Sequence, residues 1–197
     1  MRRDQLAHIL RAASEIVADG DILVIGSQSI LGSYDEDVLP DRAVASIEAD
    51  VAFFDDPDAS KADLVDGVIG EMSSFHETHG IYGQGVEVKT ARLPPGWRER
   101  LIRFERTDTG RAHAFCLDPH DLVISKLIAG REKDFDFTRA LMGVRLIRHA
   151  VLVERFDELK AAESLDPDVQ KRLEVTIEGF SRHSTLPAQR SGPGSGF

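Results

Sequence analysis

The chain is 197 residues long with a net charge of −10, a size that suits one domain, or one catalytic domain with a helical appendage, and that can bury a real core. Its single cysteine, Cys116, excludes a disulfide framework and a zinc-binding spacing and reads as a buried thiol; charges break the N-terminal apolar residues too often for a signal peptide and no apolar run approaches a membrane span, so a cytoplasmic protein without membrane contact is expected. The acidity argues against a generic nucleic-acid binder, although it is uneven: residues 1–90 carry 6 Lys and Arg against 18 Asp and Glu, and residues 91–197 carry 18 against 16.

Leu6, Ile9, Leu10, Ala13 and the Ile16-Val17 pair recur at helical spacing, which predicts an amphipathic helix over residues 3–18 that stops at Gly20. It leads into Ile22-Leu-Val-Ile-Gly-Ser27, an apolar strand over 22–26 of the kind that is covered on both sides. Residues 28–32 are expected to start a helix whose N-terminal amides meet an anion. The segment Ser33-Tyr-Asp-Glu-Asp-Val-Leu-Pro-Asp-Arg42 is acidic and broken by Pro40, so it reads as a loop. Residues 45–54 form the next strand, with Ile47, Ala49, Val51 and Phe53 turned into the core. Asp55-Asp-Pro-Asp58 makes a turn before a helix over 60–73 that carries Leu64, Val65, Val68 and Ile69 inward. A further strand is expected within 82–91, where Glu87 opposes Val86 and Val88.

Leu93-Pro-Pro-Gly-Trp97 is a turn, and residues 101–106 and 112–116 predict a short hairpin around Thr109-Gly110. Asp118 is a suitable N-cap, Pro119 fits the first helical position and Asp121 adds negative charge to the first turn. Leu122, Val123, Ile124, Leu127 and Ile128 then bury one face, and Gly130 ends or bends the helix. Residues 135–153, with Phe156 and Leu159, continue as a helical subdomain. A last helix over 168–180 precedes Ser191-Gly-Pro-Gly-Ser-Gly-Phe197, too rich in glycine to order itself.

Chemistry concentrates in the second strand. Side chains two apart on a strand share a face, so Glu48 and Asp50 point the same way about 7 Å apart. Two acids so placed are costly without a cation, and Mg²⁺ would neutralise them, completing its shell with water and phosphate. In two-metal nucleotidyl transfer such ions clamp the attacking and leaving oxygens. Gly26 and Ser27 would then lie under a triphosphate. Asp35, Asp37 and Asp41 are rival ligands from the acidic loop, and Glu87 is a candidate third carboxylate; the alternative for each is a solvated acid. His76 and His79 in His-Glu-Thr-His lack the spacing of a zinc-protease motif, and His120 reads as a surface residue. Arg98, Arg100, Arg103, Arg106 and Arg111, with Arg139, Arg145 and Arg148, are candidates for a surface facing a polyanion, the other reading being solvation and surface ion pairs.

The order of apolar strand, Gly26-Ser27, and a strand bearing Glu48-x-Asp50 resembles the polymerase-beta-type nucleotidyltransferase superfamily, whose signature is Gly-Gly or Gly-Ser followed by Asp-x-Asp. The chain departs from it in Glu48 and in a longer gap after Ser27. The segment Asp118-Pro-His-Asp-Leu-Val-Ile-Ser-Lys-Leu-Ile-Ala-Gly-Arg-Glu-Lys-Asp134 is similar to the later motifs of the MenT and AbiEii-type abortive-infection nucleotidyltransferase toxins. The resemblance covers about residues 20–142. It implies an α/β polymerase-beta-like core with a mixed sheet over residues 1–116, a helical part completing the active site over 117–180, and leaves a flexible tail over 181–197. It further implies that Glu48 and Asp50 hold Mg²⁺ or Mn²⁺, that Lys126 contacts the nucleotide phosphates, that Asp134 is a polar or catalytic acid, and that Arg131 and Lys133 are weaker phosphate contacts. The implied activity is that of a toxin in a toxin–antitoxin pair, moving NMP from an NTP, with CTP or UTP expected, to the 3′ acceptor end of tRNA, with a cognate antitoxin protein as partner. A small-molecule or protein acceptor, or an inactive nucleotide-binding protein of the same fold, are the alternatives.

Overall fold

The computed structural model describes residues 1–18, 20–106 and 108–183. Helix α1, Arg3–Val17, turns Leu6, Ile9, Leu10 and Ala13 into the core, as its spacing requires, and ends at Ala18 in the left-handed region. Strand β1, Asp21–Ile25, follows, buried along its length after the exposed Asp21. Strand β2, Glu48–Phe53, lies antiparallel to β1, with Ile25 opposite Asp50 and Ile22 opposite Phe53. Strand β3, Tyr82–Gly85, runs parallel to β2 on its other side, with Glu48 opposite Tyr82 and Asp50 opposite Gln84. Strands β4, Ile102–Arg103, and β5, His113–Cys116, form the expected hairpin, and β5 runs parallel to β1. The sheet order is therefore β3-β2-β1-β5-β4. It is a mixed sheet with helices, an α/β architecture in which β1 is the central strand, which accounts for its unbroken apolar run.

Between β1 and β2 the chain forms a 3₁₀ segment, Ser27–Gly32, instead of an α-helix start, then a second 3₁₀ turn at Glu36–Val38 and the single-turn helix α2, Asp41–Val44. The acidic stretch is thus more ordered than a loop. Gln28 is buried and its amide donates to the Ala43 carbonyl at 3.4 Å, tying the 3₁₀ segment to α2.

Helix α3, Ser60–Ile69, buries Ala62, Val65 and Ile69 and packs on α1 and β3. Leu64 and Val68, expected inward, are each 48 % exposed, because the buried arc of α3 is narrow and centred on Val65. Ile47 likewise precedes β2 and is 47 % exposed instead of joining Ala49, Val51 and Phe53 in the core. Helix α4, Ser74–His79, is capped by the Ser73 side chain, which accepts from the His76 amide. The third strand is shorter than predicted, since a 3₁₀ turn at Val88–Thr90 replaces its second half.

Helix α5, Pro119–Ala129, starts as predicted: Asp118 Oδ1 accepts from the His120 amide at 2.8 Å and Pro119 occupies the first turn. His120 is not a surface residue. Its Nδ1 lies 3.0 Å from Asp118 Oδ1 and its Nε2 accepts from the Arg148 amide at 3.1 Å, so the ring joins α5 to the segment before α7. Asp121 is also fully buried, gripped by Arg100 at 2.9 and 3.0 Å with Arg155 Nε 3.5 Å away. The helical stretch beyond Gly130 divides into α6, Glu132–Gly143, and α7, His149–Ala162. Arg145, at φ +61°, makes the break, with Leu146 donating back to the Leu141 carbonyl at 3.1 Å. Helix α8, Pro167–His183, completes the described residues, and the predicted tail lies outside them from residue 184 onward. Among the described residues no helix is long and apolar enough to cross a membrane.

Candidate active site

A cleft of about 340 Å³ opens where β1 ends and β2 begins, within the range typical of small-molecule sites. It is lined by Gly26, Ser27, Arg42, Ala45, Ser46, Glu48 and Asp50 from the β1–β2 region and by Lys126, Arg131, Lys133, Asp134 and Phe137 from α5 and α6. Eight of these twelve positions are the candidate residues of the sequence, drawn from four separate segments.

Gly26 takes φ +69°, and its Cα sits so near β2 that a Cβ there would overlap the Asp50 carboxylate. Only glycine permits both the backbone and the contact. Glu48 and Asp50 share a face of β2, as their spacing requires. Burial, with the Glu48 charge next in weight, pushes the Asp50 carboxyl up to about 6, although Lys126 acts against the shift. On β3 the Tyr82 hydroxyl donates to Glu48 Oε2 at 3.3 Å. Burial, followed by the charge of Glu48, pushes that hydroxyl up to about 12, so it remains a donor at neutral pH.

In the same cleft, Lys126 is only 6 % exposed. Its Nζ donates to Asp134 Oδ1 at 3.0 Å and stands 4.8 Å from the Phe137 ring centroid. Burial is the largest influence on Lys126 and lowers its pKa against the pull of Asp134. Arg131 Nε donates to the second oxygen, Asp134 Oδ2, at 2.8 Å. Burial alone would raise the fully buried Asp134 carboxyl, but the hydrogen bonds and charges of Arg131 and Lys126 outweigh it and hold the group below its ordinary range. Both its oxygens are thereby committed to orienting cations. Gly130, at φ +67°, makes the left-handed turn that brings Arg131 round to the acid borne on α6.

Glu87 is not brought to the acid pair. It lies beyond the end of β3, pairs with Lys89 at 2.6 Å, and lines a separate cleft with Phe53, Phe54 and Arg98. Asp35, Asp37 and Asp41 are exposed and line no part of the site; Asp35 faces Arg3 at 3.2 Å. Among the described residues, no group of three or more His, Cys, Asp or Glu is placed to hold a metal. The donor set is therefore two carboxylates, which suits Mg²⁺ or Mn²⁺ completed by water and phosphate and does not suit a closed all-protein cage.

Of the arginines with two readings, polyanion surface or ion pair, Arg100 pairs with Asp121 at 2.9 Å, Arg106 with Asp108 at 2.7 Å and Arg139 with Asp136 at 2.9 Å. Arg98 stacks on Trp97 and Phe54. Sequence reading missed Tyr82, Ser46 and Phe137. Tyr82 had one usable signal, its place at the start of a strand beside the acid-bearing one.

The mixed five-stranded sheet, its flanking helices and the cleft at the head of β2 make this an α/β nucleotidyltransferase-like domain. Residues 4–181 match the family model described as a nucleotidyltransferase of unknown function (DUF6036), and the chain belongs to that family. It is thus a member of the broad nucleotidyltransferase superfamily. No curated protein and no solved structure matches the chain.

Proposed function

We propose that the protein transfers a nucleoside monophosphate from an NTP to an acceptor hydroxyl, and that it does so as the toxin of a toxin–antitoxin pair of the MenT and AbiEii type, with the 3′ end of tRNA as acceptor. The observation that carries the chemistry is the gathering of Glu48 and Asp50 with Lys126 and Arg131 in one cleft that Gly26 and Ser27 also line. The toxin role, the acceptor and the preference for CTP or UTP rest on the motif resemblance.

In this reading Glu48 and Asp50 hold Mg²⁺ or Mn²⁺, which when bound neutralises phosphate charge and aligns the reactants. Gly26 and Ser27 present backbone amide and hydroxyl to the phosphates. The acceptor oxygen bonds to the α-phosphorus, the bond to the bridging oxygen breaks, pyrophosphate leaves, and the acceptor proton is released on the carboxylate side. Lys126, steered by Asp134, counters the charge gathering on pyrophosphate, with Arg131 and Lys133 at the mouth of the cleft. Asp134 acts by positioning, since neither of its oxygens is free to take a proton. The work is orientation and electrostatics, as in phosphoryl-group chemistry generally.

The missing third carboxylate favours a second reading, a nucleotide-binding protein that retains the fold without the reaction. Expression in growing cells followed by sequencing of tRNA 3′ ends separates the two. Extra pyrimidine residues on tRNA with growth arrest, both lost in Asp50→Ala, support the toxin. Unaltered tRNA with label from α-labelled NTP on a protein or small molecule moves the acceptor, and no label on any acceptor leaves the binding protein.

A further inference from the structure

We propose that Tyr82 is a positioning residue that fixes the Glu48 carboxylate for metal binding, replacing the restraint that a shorter aspartate would carry in its own side chain. The inference rests on the acid pair holding a divalent cation. Glutamate has one more rotatable bond than aspartate, so a ligand at position 48 starts with more freedom to lose. Here that freedom is removed from outside. Glu48 and Tyr82 are direct partners in the parallel pairing of β2 with β3, and the phenol donates to Oε2 at 3.3 Å. Tyr82 is itself held: its ring lies 4.8 Å from the His76 ring, whose Nδ1 accepts from the Met72 amide at 3.1 Å. A chain of contacts thus runs from the α3–α4 turn, through His76 and Tyr82, to the acid pair. One carboxylate oxygen is engaged by the phenol, which sets the direction of the other. A partner that orients a metal ligand in this way governs affinity without touching the ion, and its loss typically costs about 10–100-fold.

The experiment is titration of the full chain with Mn²⁺ alone, read by the electron paramagnetic resonance of free Mn²⁺, for wild type, Asp50→Ala, Tyr82→Phe, Glu48→Asp and the Glu48→Asp/Tyr82→Phe double variant. Phenylalanine keeps the ring packed on His76, and a thermal melt of each variant verifies the fold. Tyr82→Phe is expected to weaken Mn²⁺ binding about tenfold. In the Glu48→Asp background, where the shortened acid no longer reaches the phenol, the same change is expected to cost nothing further. Equal binding by wild type and Tyr82→Phe, or an equal loss in both backgrounds, overturns the inference while leaving the metal site in place. A wild type that binds Mn²⁺ no better than Asp50→Ala overturns the metal site and this inference together.

Discussion

The Gly26 Cα and the Asp50 carboxylate fill adjoining space, so that the turn ending β1 and the second acid of β2 fit only if position 26 has no side chain. Gly26→Ala is therefore expected to displace Asp50 as well as to strain a backbone at φ +69°. The strain costs about 1–3 kcal/mol of stability, and transfer activity should fall by on the order of 100-fold, since small misplacements cost about that much. Ser27→Ala removes only a hydroxyl and should leave the melting temperature near wild type. Denaturant melts and NTP turnover of both variants check the pair.

Asp50 should make the metal-free protein less stable as pH rises. Its folded-state carboxyl is pushed up to about 6 from an ordinary 3.8, so between those values the folded chain holds more protons than the unfolded one. Stability is then greatest below the unfolded value and declines as pH climbs through about 6. Asp50→Asn, which cannot ionise, is expected to melt a few °C higher than wild type at pH 7.5 without metal, on the order of 1–3 kcal/mol. At pH 4 the difference should vanish, and added Mg²⁺ should stabilise wild type alone.

The Lys126–Asp134–Arg131 cluster separates stability from function. Asp134→Asn leaves the buried Lys126 ammonium without its anion and is expected to destabilise the fold by about 3–5 kcal/mol. Lys126→Met leaves Asp134 paired with Arg131, so its stability loss should be smaller, yet it should reduce transfer strongly. Arg131→Ala removes an exposed partner, worth under about 1 kcal/mol to stability, and should act mainly by raising KM for NTP. Urea melts beside steady-state kinetics distinguish these three patterns.

Asp121 makes a contrasting case. It is as buried as Asp134 and bound by Arg100 and Arg155, but it lines no part of the cleft. Asp121→Ala is expected to cost about 3–5 kcal/mol with unchanged Mn²⁺ affinity per folded molecule, measured below its melting temperature.

These contacts also mark what the sequence could and could not convey. Local signals were legible: the apolar run of β1, the Asp118-Pro119 helix start, the Gly130 stop, and the shared face of Glu48 and Asp50 all follow from period and capping. So did the gathering of Gly26, Ser27, Lys126, Arg131 and Asp134 with the acid pair, through motif order. Contacts between distant segments were not. Nothing near His120 or Asp121 announces that Arg148 and Arg100 arrive to bury them. Nothing near Glu87 shows that the strand ends at Gly85 and sends it to another cleft. The division of α6 from α7 falls within a stretch that reads as continuous helix, and the left-handed Arg145 that makes the turn carries no residue preference for it.

The most direct measurement uses NTP labelled in parallel at the α- and γ-phosphorus, incubated with Mg²⁺, purified protein and total tRNA. Nucleotidyl transfer to tRNA predicts α-label bonded to the tRNA 3′ end, γ-label released as pyrophosphate, and loss of both in Asp50→Asn. Label transferred from the γ-position, or α-label incorporation that Asp50→Asn leaves intact, would contradict it.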